Sequence, residues 1–398
     1  VSAKALLSFL QTESSHLDQA GLLRRELALE APAGPTLMLG GKEVLNLASG
    51  DYLGLSGNAE LKRAVKQAID GWGVGLMSPR AVTGTLRAHQ ELEKALATFL
   101  GAEEALVFPS GYHANTGAFE SLFSDRDFVF CDEQVHPSLA DGLRLCRARI
   151  YSYRNQDLEH LEDRLKRSRA ARFRAIVTDG FFGAVGEVAK LAEIYALAEK
   201  YDAVVFVDDS EGVGVLGAKG RGTHEALGLE KRLDVVTGSF GTALGVAGGY
   251  AAGRKQIIEW LRQKSRPYLA TSALAPGFAA GALKALQLVQ EDGKARESLR
   301  ENARALRAAL AEQGLQLIAG EHPAISVVIG NAVTAQRMTD LLLRKGVYAT
   351  GFCYPVVSEG AARVRAQVTA RHPAKALKNA ALAFGEAWRE VSHTTRPP

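Results

Sequence analysis

Five short apolar runs, ALVF (105–108), FVFC (128–131), AIVTD (175–179), VVFVDD (204–209) and DVVTG (234–238), set the tightest limit on how this chain can fold. Each is rich in Val, Ile or Phe and lacks the apolar–polar alternation of a half-exposed strand, so each is expected to be a strand buried on both faces. Between two of them, LAEIYALAEKYDA (191–203) places Leu191, Ile194, Tyr195 and Ala198 on one helical face, which suits a helix lying on such a sheet. Strands alternating with helices in this way predict an α/β domain with a mostly parallel central sheet.

That domain is expected over residues 46–273. Residues 1–45 form an N-terminal arm, an amphipathic helix running into a hairpin around LMLGGKEVLNL (37–47), where Gly40-Gly41 signals the turn. After Arg-Pro-Tyr (266–268) a long helix, roughly 274–291, opens a smaller C-terminal α+β domain over 274–398. That domain has helices near 295–313 and 334–345 and strand-like pieces at ISVVIG (325–330), VYATGF (347–352) and ARVRAQV (362–368). A chain of 398 residues with 47% hydrophobic content carries enough apolar surface for one large core and an appended smaller one.

Charge excludes some functions. The 48 basic and 44 acidic residues are spread along the chain, and the arginines at 144–149 and 164–174 are interrupted by other residues. They read as solvated helix faces, not a nucleic-acid stripe. Cys131, Cys146 and Cys353 have no CxxC spacing and no neighbouring His pair, so neither a metal site nor a disulfide framework is expected. VSAKALLSFLQTES lacks a signal-peptide core, and no run approaches the roughly 18 apolar residues of a membrane span. The expectation is a cytoplasmic protein without membrane contact.

In open parallel sheets ligands bind beyond the carboxyl ends of strands. There Ser110-Gly111-Tyr112 follows the first run and precedes a helix, whose first N–H groups can hold an anion. Asp208 ends the most apolar strand, and its carboxylate either pairs with a protonated ring nitrogen or caps a helix. His136, in a His-Pro-Ser context after FVFCDEQV, is either structural or a flat surface for a planar ligand.

In order and separation these stretches, with SGDYLGL (49–55), DGLRLCRARIYSYRN (141–155), VDDSEGVG (207–214), WLRQKSRPYLATSALAP (260–276) and GFCYPVVSEGAARVRAQVTARH (351–372), resemble the α-oxoamine synthases. Within that fold-type I family, dependent on pyridoxal phosphate (PLP), the resemblance is greatest to the 2-amino-3-ketobutyrate coenzyme A ligase branch and covers almost the whole chain. It implies a dimer with shared sites that joins an acyl thioester, carried by coenzyme A or an acyl carrier protein, to an amino acid. By resemblance, Ser110, Gly111 and Tyr112 hold the cofactor phosphate with Ser239 and, across the dimer, Thr271 and Ser272. His136 stacks on the ring, Asp208 meets its nitrogen, and Arg365 takes the amino-acid carboxylate in a bidentate fork. Arg80, in SPRAVTGT (78–85), belongs to the region implied for the acyl thioester.

Four positions depart from the family's pattern. In TGSFGTALG (237–245), Thr242 stands where the family has its Schiff-base lysine, and a hydroxyl forms no imine with an aldehyde. Glu211 replaces a histidine that contacts the cofactor's phenolic oxygen, Gly183-Ala184-Val185 replaces Ser-Met-Asp, and Gly50 replaces an asparagine that positions the amino acid. Together they predict that no cofactor is covalently bound and that the ancestral PLP pocket is degenerate and vacant. What remains is an acyltransferase or condensing enzyme without PLP. In it Glu211 is the general base with His136 nearby, and Ser239 or Thr242 acts as nucleophile or oxyanion donor. Three alternatives stand beside this: a catalytically silent subunit in a heterodimer with an active relative, a lysine-to-threonine variant of an ordinary member, and noncovalent use of PLP.

Overall fold

The computed structural model describes residues 3–394 apart from 20–22, 24, 25, 33, 292 and 355; the outermost ends of the expected arm and C-terminal domain lie outside the described residues. In chain order the strands are β1 (Thr36–Leu39), β2 (Lys42–Asn46), β3 (Glu104–Phe108), β4 (Phe128–Asp132), β5 (Arg149–Tyr153), β6 (Arg174–Asp179), β7 (Phe181–Phe182) and β8 (Glu187–Val188). They continue with β9 (Ala203–Asp208), β10 (Val235–Ser239), β11 (Gly249–Gly253), β12 (Ala324–Gly330), β13 (Val347–Tyr348), β14 (Thr350–Phe352) and β15 (Ala362–Gln367).

The central sheet runs β3-β11-β10-β9-β6-β4-β5. Every pairing in it is parallel except those of β11, which is antiparallel to β3 and β10. The five apolar runs are β3, β4, β6, β9 and β10, buried over most of their lengths. The helix Leu191–Tyr201 buries Leu191, Ile194, Tyr195 and Ala198, the face its spacing predicts. Each such side chain taken fully out of water contributes roughly 1.5–3 kcal/mol for Leu, Ile or Val and less for Ala.

The C-terminal unit has its own core around the β12-β15-β14 sheet and the helices Lys294–Glu312, Ala332–Arg344 and Ala374–Thr394. Its boundaries do not follow the chain as the sequence suggests. The β1–β2 hairpin, expected in a separate arm, pairs in parallel with β13, placing Leu45 opposite Val347 and Asn46 opposite Tyr348. The chain then stays fastened there: Gln367 N–H donates to the Leu47 carbonyl and Ala370 N–H to that of Tyr52, both at 2.7 Å. Conversely, the helix Pro276–Glu291 packs on the helices Ala59–Trp72 and Arg87–Leu100. Its Ala279, Ala282, Ala285, Leu286 and Val289 belong to the large core, so the division drawn at 273 falls one helix early. Gly281 permits this approach, because a Cβ there would lie 2.9 Å from Val65.

Helix Ala3–Gln19 buries none of its residues and leaves Leu6, Leu7, Phe9 and Leu10 exposed. No helix among the described residues is long and apolar enough to cross a membrane.

Candidate active site

The carboxyl ends of β3, β9 and β10 meet the start of the helix Gly111–Leu122. Ser110 caps that helix, its Oγ accepting from His113 N–H at 3.2 Å and lying 2.8 Å from His113 Nδ1. The first N–H groups of any helix have no intrahelical acceptor and form a positive end. Here glycines press that end against β10. Gly249 stands in register between Phe108 and Ser239; a Cβ on it would lie 2.2 Å from Gly111 N, and one on Gly111 3.1 Å from Ser239 Cβ. Ser110, Gly111 and Ser239 therefore share one rim, a cup for an anion. Ser239 Oγ accepts from Gly241 N–H at 3.0 Å, which leaves its own proton to donate. Tyr112 contributes main chain only: its ring is 50% exposed and its hydroxyl donates to Asp141 at 2.9 Å.

Beside the cup, Asp208 is 6% exposed. Its Oδ2 accepts from Asn115 Nδ2 at 2.6 Å and its Oδ1 from Ser210 N–H at 2.9 Å. The second bond is a local turn two residues on, so Asp208 caps no helix. Asn115 in turn donates to Ser138 Oγ and accepts from Thr237 Oγ1. Asp179 stands opposite Asp208 in the sheet, and burial together with the Asp208 charge pushes its carboxyl well above the usual range. Asp208 is thus held by neutral donors, with acceptor capacity left for a cation. His136 caps the helix Pro137–Leu145, its ring anchored through Nδ1 to Ser138 and its main-chain N–H given to Asp179.

A second wall comes from both units. Arg365 Nη2 donates to Gln367 Oε1 at 3.1 Å, Gln367 Nε2 to Tyr52 OH at 2.8 Å, and Tyr52 OH to Glu211 Oε2 at 2.5 Å. Burial, reinforced by the Glu211 charge, pushes the Tyr52 phenol well above its ordinary value, which keeps its proton in place to donate. Arg365 Nη1 donates to the Gly183 carbonyl at 2.9 Å, its guanidinium lies over the Phe352 ring, and its Nε is buried without a hydrogen-bond partner among the described residues. The Glu211 carbonyl accepts from His322 Nε2 at 3.0 Å, while His322 Nδ1 accepts from Ala324 N–H. Burial lowers His322 to about 3, and its neutral ring stacks on Phe181 with centroids 3.6 Å apart.

The site residues that the sequence grouped are engaged by different partners. Glu211 is bonded to Tyr52 and His136 to Ser138 and Asp179, and among the described residues no hydrogen bond joins the two. Thr242 donates its hydroxyl to the Ser210 carbonyl at 2.6 Å, tying the β10 loop to the β9 loop instead of standing free as a nucleophile. A Cβ on Gly50 would lie 3.6 Å from Thr242 Cγ2, so that glycine adjoins it. Arg80 is 7% exposed and turned inward, its guanidinium forked onto Glu93 and its Nε donating to Thr85. It forms an internal ion pair in this chain and leaves its expected thioester role without a free fork. Thr271 and Ser272 sit in the turn between the helices Arg266–Leu269 and Pro276–Glu291. Asn115, Tyr52, His322 and Gln367 were not anticipated, although Gln367 lies two residues beyond Arg365 on one strand face.

A sheet with an anion cup and a buried carboxylate at its carboxyl edge defines a class, the PLP-dependent transferases of fold type I. The sequence matches the aminotransferase class I and II family over residues 42–384, and the chain belongs to that family, as one of its α-oxoamine synthases. It is 42% identical to the 2-amino-3-ketobutyrate coenzyme A ligase of Escherichia coli over 383 residues, 94% of this chain and 96% of that one. It is 39% identical to the 8-amino-7-oxononanoate synthase of Thermoanaerobacter pseudethanolicus over 387 residues, 97% and 98%. Among solved structures it resembles a lysine-to-alanine variant of serine palmitoyltransferase from S. paucimobilis with a bound PLP–myriocin aldimine. That match has a TM-score of 0.93 and 29% identity, covering 99% of this chain and all of that one. A serine palmitoyltransferase with a PLP internal aldimine matches with a TM-score of 0.92.

These findings overturn the expectation of a degenerate, vacant cofactor pocket. Neighbours of the same fold hold PLP, one of them with a lysine replaced. The residues present here also fit that group: Asp208, held by neutral donors, keeps acceptor capacity for a ring nitrogen, and the glycine-seated rim of Ser110, Gly111 and Ser239 suits a phosphate.

Proposed function

We propose that this chain is a PLP-using α-oxoamine synthase that transfers the acyl group of a coenzyme A or acyl-carrier thioester to an amino acid. One observation carries the amino-acid side of this reaction: Arg365 is part-exposed, and Nη1 and Nη2 have each given one of their two hydrogens, to Gly183 and Gln367, which leaves the other on each. A carboxylate accepts those remaining hydrogens in charge-assisted bonds. Asp208 would hold the cofactor's ring nitrogen, the rim of Ser110, Gly111 and Ser239 with the Tyr112 main chain its phosphate, and His136 the face of its ring. When bound, PLP withdraws electron density from the amino acid's α-carbon. Arg365 orients the substrate through its carboxylate, and Glu211, held by Tyr52 and His322, stands as the base of the second wall. Thr242 keeps the Ser210 loop in place.

The protein is proposed to act as a cytoplasmic homodimer in which Thr271 and Ser272 complete the partner's cup. Supporting this are the exposed apolar residues of helix Ala3–Gln19 and the three free cysteines. Light scattering of the purified chain checks the stoichiometry.

The decisive assay supplies purified protein with PLP, a panel of acyl thioesters from acetyl to palmitoyl, and small amino acids, and follows free thiol. Thiol release that requires both PLP and the amino acid is the expected result; release indifferent to the amino acid, or none with any pair, sinks the proposal. Thr242 favours a second reading, a non-catalytic subunit beside a lysine-bearing relative. That reading predicts an inert homodimer and activity only on mixing.

A further inference from the structure

The hydrogen bonds of the second wall all point one way. From Arg365 through Gln367 and Tyr52 to Glu211, each group donates to the next, so the series starts on a cation and ends on a carboxylate. Both ends are incomplete. Arg365 Nη1 has given only one of its two hydrogens, to the Gly183 carbonyl, and among the described residues Glu211 Oε1 accepts no hydrogen bond, its Oε2 alone being engaged by Tyr52. The two ends flank one glycine: Arg365 Nη1 lies 3.3 Å, and Glu211 Oε1 3.6 Å, from the point a Cβ on Gly183 would occupy. A side chain at 183 would stand between them. His322 fixes the Glu211 main chain from the C-terminal unit, so both ends are held from the same side.

We propose that Glu211 Oε1 receives the ammonium of the α-amino acid whose carboxylate lies on Arg365, the pair forming a clamp for a zwitterion. This rests on the amino-acid-using function proposed above and assigns Glu211 a binding and selectivity role in it. A donor hydrogen left on a cation and an unpaired acceptor on an anion, 3.3 and 3.6 Å from one point, match the two charges that an α-amino acid carries on one small molecule. A carboxylic acid without the amine satisfies only Arg365 and leaves Glu211 beside an apolar carbon.

The test measures binding by calorimetry on protein loaded with pyridoxine 5′-phosphate, which supplies ring and phosphate but no aldehyde to react with an amine. Glycine is compared with acetate, and alanine with propionate. In the wild type the amino acid is expected to bind about tenfold or more tightly than its deaminated partner, the scale of one charge-assisted hydrogen bond. In Glu211→Gln the preference falls to within about threefold. Glu211→Asp, shorter but still charged, keeps a preference above that of Glu211→Gln and serves if the amide variant folds poorly. An equal preference in wild type and Glu211→Gln, or none in wild type, overturns the clamp. Thiol release in the same preparation reloaded with PLP reports separately on the proposed function, so failure of one is distinguishable from failure of the other.

Discussion

The two walls of the site are built by different means. The first consists of strand ends and a helix start within one sheet, its parts seated by glycines whose absent Cβ atoms would collide with main chain. Its side chains are short, and its geometry follows from sheet register. The second consists of long side chains, Tyr52, Glu211, Arg365 and Gln367, with His322 behind them, some separated by 315 positions in sequence. Its shape depends on how the two units meet. A wall made from main chain can serve every member of a cofactor class, whereas a wall made from side chains across a seam can be rewritten for one substrate. Selectivity is therefore expected in the second wall and cofactor affinity in the first.

The largest effect should follow Arg365→Ala. Amino-acid-dependent thiol release is expected to fall about a thousandfold in kcat/KM, with PLP affinity, read by absorbance titration, changed less than about twofold. A parallel fall in PLP affinity would break the separation of the walls. The mirror experiment is Asp208→Asn, which replaces a charged partner by a neutral one: PLP affinity is expected to drop about 10–100-fold while the preference for glycine over acetate persists. Thr242→Lys sharpens the boundary between the walls, since Gly50 leaves room beside that position. An amine there should raise PLP retention through gel filtration about tenfold and give a mass increment that borohydride reduction of the imine makes permanent; no increment would mean that the side chain does not face the cofactor.

The smallest effect concerns His322, held neutral at about 3 against an ordinary 6.5. Between those values the unfolded chain binds more protons than the folded one, so this site's contribution is present above about pH 6.5 and is lost as the pH falls toward 3. His322→Gln, which does not titrate, should lose about 1–2 °C less than wild type in melting temperature between pH 7 and 5. His89, His224 and His372 are lowered by burial too and set the common background.

The contrast also explains what the sequence reveals. The five apolar runs specify five of the seven strands, and the turn after ALVF specifies the cup, because both depend on residues adjacent in the chain. GYAAG gives no apolar run, and β11 is a strand because small residues fit between β3 and β10, a tertiary cause. RIYSY escapes notice as an edge strand with exposed positions. In the second wall Glu211 and Arg365 are visible as residue types, but the Tyr52 and Gln367 that join them are not, since no local pattern encodes a contact across the seam. Arg80 shows the converse error: a motif arginine looks available until Glu93, 13 residues later, is found facing it.

The pairing of the β1–β2 hairpin with β13, and of Leu47 and Tyr52 with the chain around β15, gives the early segment a mechanical role. It ties Tyr52, packed in the large core, to the C-terminal unit through its carbonyl, as His322 ties Glu211. The phenol–carboxylate bond stands beside two others between the same units, His322 to the Glu211 carbonyl and Arg365 to the Gly183 carbonyl, so any shift of one unit against the other would load all three together.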